Sequence, residues 1–144
     1  MAYQIKQSIQ RMLTMSIGLI GYGLYVLNNT QANNFMVKDF GLYILLIVPI
    51  LIVLEILGKI LFDILNKTEE KKEAPKEMDE FDRIIEYKSV RNFAFTFLFG
   101  LFLSFLFMLI LNTLYVPFLI LFCTFFFSGY VLQVSYIIYY TNGV

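Results

Sequence analysis

Polar and apolar positions are sorted into blocks along this chain. Four apolar stretches stand out: Met12–Leu27, Phe40–Leu54 with a charged continuation to about Leu65, Phe93–Tyr115, and Phe118–Tyr140. About 20 residues of helix span a ~30 Å hydrocarbon core, a length that the last two stretches meet outright. The first is shorter, but Ile9 to Leu27 reaches it if Arg11 snorkels to the interface. The pattern predicts an all-α membrane fold of four transmembrane helices, arranged as two helical hairpins within a single domain, 1–144.

The polar blocks predict what lies between the spans. Residues 66–78 read as a charged cytoplasmic linker in which lysines and glutamates alternate around Pro75. From about Asp79 a helix is expected to run unbroken into the third span, so that 79–92 is a cytoplasmic helical extension of it. Asp79 and Asp82 favour the N-terminal dipole, Asp79 and Arg83 are an i,i+4 pair, and no glycine or proline intervenes before Gly100. The last turn is expected around Pro117, and Pro49 removes one backbone hydrogen bond from the second span.

Basic residues set the expected orientation. Lys6 and Arg11 precede the first span, and the 28–39 loop carries only Lys38. The 66–92 loop carries Lys67, Lys71, Lys72, Lys76, Arg83, Lys88 and Arg91, and the turn around Pro117 carries none. The expected topology is N-in/C-in, in a multi-pass protein of the cell (cytoplasmic) membrane. A cleaved signal peptide ending near Thr30-Gln31-Ala32 fits less well, because the apolar stretch is long for one. Gly18, Gly21 and Gly23 also suit helix packing.

Composition strengthens the membrane reading. Of 144 residues 59% are hydrophobic and 15% charged, where a soluble domain has roughly 45–50% apolar residues. The excess apolar surface has to face lipid. Eleven basic residues balance eleven acidic ones, so no bulk electrostatic case exists for nucleic acid. There is no histidine, and the lone Cys123 lies in an apolar run, so no intrachain disulfide or thiolate metal cluster can form. With no nucleophile–base pair, phosphate-cradling glycine loop or metal-binding motif, neither enzymatic activity nor a cofactor is expected.

Two features are candidate sites. Glu55, Lys59, Asp63 and Lys67 follow at steps of four, with alternating sign along one helix face. If hydrocarbon starts near Phe40, twenty residues end at Lys59 and Glu55 lies about one turn inside. An intramembrane carboxylate is a functional candidate by default, and the simpler account is that Glu55 and Lys59 form an intramembrane charge pair that neutralises itself. The second feature is a small and polar stripe in the third span: Asn92, Thr96, Gly100, Ser104, Met108 and Asn112. Thr96, Gly100 and Ser104 form a candidate helix-packing face, with Thr124 and Ser128 or Thr14 and Gly18 as opposing surfaces. Asn112 and Gln133 are expected to be interhelical hydrogen bonders. Tyr136, Tyr139 and Tyr140 suit an aromatic belt at the inner surface.

The stretch Asp79-Glu80-Phe81-Asp82, followed by Lys88-Ser89 and Arg91, resembles an element of small four-span bacterial membrane proteins that leads into their third span. Those families have no assigned activity, so the resemblance implies layout alone. The functional expectation is a non-enzymatic protein that binds a partner in the membrane, as an immunity, protective or regulatory accessory protein. Its expected partners are the lipid bilayer and either another membrane protein or further copies of itself. The alternative is a small oligomeric transporter or channel using Glu55.

Overall fold

The computed structural model describes residues 3–29, 37–65, 80–111 and 115–143. All regular structure among them is helical: α1 Tyr3–Asn29, α2 Val37–Leu65, α3 Glu80–Leu111 and α4 Tyr115–Asn142. The linker 66–78, Asp79 and Asn112 lie outside the described residues.

Three helices are long and apolar enough to cross a membrane, over Gly41–Leu65, Glu80–Leu111 and Val116–Asn142. The chain is that of a membrane protein. α1 has the length, at 27 residues, but Gln10, Arg11, Thr14, Ser16 and three glycines dilute its apolar stretch. Burial supports the same conclusion. Large apolar side chains such as Leu45, Phe95, Phe102 and Leu109 are exposed, whereas Ser89, Ser104, Ser128 and Ser135 are buried. Small hydroxyl residues inside and large apolar ones outside suit a solvent as apolar as leucine.

The chain divides into two units, Ile9–Lys67 and Met1–Ser8 with Thr68–Val144. In the second unit α3 and α4 meet at successive levels, through Asp82 with Tyr140, Asn92 with Ser135, and Ser104 with Pro117. Rising numbers on α3 meet falling numbers on α4, so the two helices run antiparallel. α3 is continuous over 32 residues, about 48 Å at the helical rise, which exceeds the hydrocarbon thickness. Glu80 and Asp82 lie in its first turn, where a negative charge favours the helix dipole.

The final turn differs from the sequence expectation. Pro117 is buried in the first turn of α4, which begins at Tyr115. A proline is tolerated there because first-turn N–H groups have no intrahelical acceptor. Tyr115 therefore belongs to the fourth helix and not to the third span. At the other end Gly143 adopts φ 78°, the left-handed conformation that commonly follows a helix C-terminus. In the first unit Tyr22 donates to the Tyr43 carbonyl at 2.5 Å. Leu51 and Leu54 pack beside Gly18, so α1 and α2 also run in opposite directions.

Candidate functional site

The charged edge of α1 and α2 is built from five residues. Glu55 projects from α2, and its Oε1 stands 3.6 Å from Arg11 Nε on α1, with the side chains 54% and 38% exposed. One turn beyond Glu55 toward the helix end, Gly58 lets α1 approach. A Cβ at Gly58 would stand 2.6 Å from Gln10 Nε2 and 2.7 Å from Thr14 Oγ1. Gln10 Nε2 donates to Thr14 Oγ1 at 3.0 Å, and Thr14 Oγ1 donates to the Gln10 carbonyl at 3.0 Å. This mutual bonding fixes the α1 surface beneath the arginine.

The carboxylate is therefore held by a cation on the neighbouring helix. Lys59 is exposed, and no ion pair joins it to Glu55 among the described residues. In the sequence Arg11 marks the inner side of the first span and snorkels to the interface, and nothing local pairs it with Glu55. The signal available for it is a cation with no carboxylate three or four residues away, on the same side of the helix pair as Glu55. Gly58 belongs to no small-residue repeat and had no sequence signal.

Gly100 and Ser104 occupy the α3 side of the α3–α4 contact, and Thr96 lies one turn before Gly100. A Cβ on Gly100 would overlap the Thr124 side chain. Ser104 Oγ donates to the Pro117 carbonyl at 2.8 Å, and Thr96 Oγ1 donates within its own helix to the Asn92 carbonyl at 2.9 Å. Phe97 meets Phe125 edge to face, with ring centroids 6.3 Å apart. Asn92 contributes more than its place in the stripe suggests. Its Nδ2 donates across the interface to Ser135 Oγ at 3.0 Å and to Tyr139 OH at 3.1 Å. Gln133 is 5% exposed, and its Oε1 has no hydrogen-bond partner among the described residues.

Chemically these surfaces offer one half-exposed ion pair and a lattice of hydroxyl and amide contacts. Among the described residues no three histidine, cysteine or carboxylate side chains gather where they could hold a metal ion. Cys123 is exposed on α4. No protein-family model matches the chain, and no curated protein or solved structure matches it either.

Proposed function

We propose that this is a four-span, N-in/C-in protein of the bacterial cytoplasmic membrane that acts without catalysis, by binding another membrane protein through the Glu55 edge. It would serve as an immunity, protective or regulatory accessory factor. α1 is the fourth span in this reading, with Arg11 reaching the interface as its stem covers apolar surface. The resemblance of Asp79–Arg91 to four-span bacterial proteins supports the same layout.

One observation carries the proposal. Glu55 is ion-paired on one side and half-exposed on the other, among exposed Ile52, Ile56 and Ile60. A carboxylate within a membrane span is costly to leave open to lipid. A donor group on a partner helix would satisfy its remaining lone pairs, while the surrounding aliphatic side chains supply packing surface. A transporter would instead need Glu55 to face an aqueous path enclosed by several copies.

A photo-crosslinking residue at Ile56 distinguishes the two readings in native membranes. The proposal expects a discrete adduct with a different membrane protein. Adducts only at multiples of the protein's own mass, with proton or cation flux in proteoliposomes that Glu55→Gln abolishes, would favour the transporter. Lipid adducts alone would remove the proposal.

A further inference from the structure

Lys88 and Arg91 stand three residues apart on α3, immediately before the uncharged run that begins at Phe93. Positions three and four residues from either one hold no carboxylate. Two like charges at this spacing oppose each other unless an anion sits between them. The opposing helix supplies none at this level. Lys88 Nζ lies over the Tyr139 ring, 5.9 Å from its centroid, and Ser135 and Tyr139 are occupied as acceptors for Asn92. Asp82, six residues before Lys88 and nine before Arg91, accepts from Tyr140 OH at 2.7 Å. Arg91 is exposed and has no ion pair among the described residues, and Tyr87 beside it is 71% exposed. Among the described residues this concentrated positive charge has no counter-ion.

Depth identifies the missing anion. At the helical rise Arg91 lies about 3 Å, and Lys88 about 8 Å, beyond the first residue of the uncharged run. The polar headgroup layer is roughly 5–8 Å thick on each side of the hydrocarbon core. Both cations stand within reach of lipid phosphates, and an interfacial tyrosine adds a hydroxyl donor.

We propose that Lys88 and Arg91, flanked by Tyr87, hold the phosphate of an anionic phospholipid where α3 leaves the hydrocarbon. A guanidinium takes two phosphate oxygens side by side, while the ammonium acts as a neighbouring point charge. The site depends on α3 crossing the membrane and is independent of the Glu55 proposal.

The test uses the full chain purified in detergent, with lipid retention read by native mass spectrometry against phosphatidylglycerol and phosphatidylcholine of matched acyl chains. Phosphatidylglycerol should be retained preferentially. Lys88→Gln and Arg91→Gln should each weaken it about fivefold, and the double variant roughly 25-fold, as expected for cations near an anionic surface. Arg91→Lys should keep most of the binding. Arg83→Gln, a control with Glu80 and Glu86 three residues away on either side, should leave it unchanged. If Lys88→Gln loosens the helix pair through Tyr139, the exposed Arg91→Gln alone carries the test. Equal retention of the two lipids, undiminished retention by Arg91→Gln, or equal competition by glycerol phosphate without acyl chains would overturn the proposal.

Discussion

Gly100 of α3 lies so close to Thr124 of α4 that one added carbon would overlap the threonine side chain. Both residues sit mid-helix, so relief requires the two backbones to separate. Gly100→Leu should lower thermal stability in detergent by about 1–3 kcal/mol, the range for overpacked cores. Phe102→Leu, at a position 61% exposed, should change it far less. Equal effects on the two melting curves would deny the close approach any special weight.

Asn92 joins α3 to two hydroxyls of α4 through a single amide nitrogen. Interhelical hydrogen bonds in membranes average about 0.6 kcal/mol, so Asn92→Leu should cost about 1 kcal/mol. Combining it with Ser135→Ala should cost less than the sum of the two, because they share one bond. Strictly additive unfolding free energies would show that the bond contributes nothing.

The glycines of α1 and α2 differ in what surrounds them. A Cβ at Gly58 meets Gln10 and Thr14, whereas one at Gly21 meets nothing within 4 Å. Gly21→Ala should stabilise the helix by up to about 1 kcal/mol, the propensity difference between the two residues. Gly58→Leu should destabilise by about 1–3 kcal/mol, since Gln10, Thr14 and the pair beside them must move. Comparing the two melting temperatures with wild type checks both signs at once.

How far the sequence could be read varies along the chain. Segregation of charge marks the apolar helices, because lipid demands long uninterrupted apolar runs. Local spacing marks Thr96, Gly100 and Ser104 as one face. Contacts that depend on helix register are not legible in this way. Glu55 and Lys59 are visible together because they are one turn apart, whereas Arg11 is 44 positions from Glu55 and meets it only through the docking of α1 on α2. Asn92 looks like one more member of a stripe until Ser135 and Tyr139 are placed opposite it. Pro117 reads as a turn because proline punctuates chains, yet the first turn of a helix is where proline is at home.

Orientation can be measured with single cysteines in a Cys123→Ser background. The N-in/C-in arrangement expects a membrane-impermeant thiol reagent to label position 30 in intact cells. Glu80→Cys and Asn142→Cys, both exposed positions, should react only after permeabilisation. Ser89 is unsuitable as a probe because it is fully buried. Labelling of position 80 from outside would reverse the assignment, and an N-terminal tag found on the same side of the membrane as position 30 would remove α1 as a span.

The central claim, that Glu55 meets a partner while Arg11 holds it, is tested most directly by a crosslinking cycle from Ile56 across wild type, Arg11→Gln, Glu55→Gln and the double variant. Each single change strands one charge near the membrane edge and should cost about 1–2 kcal/mol, below the ~3 kcal/mol of a lone charge at a span centre. The double variant leaves two amides and should recover most of that stability and its membrane abundance. The account predicts that the recovered double variant still loses the partner adduct, as Glu55→Gln does. A double variant that is stable, abundant and crosslinks as wild type does would show that Glu55 only neutralises Arg11, and would contradict the account.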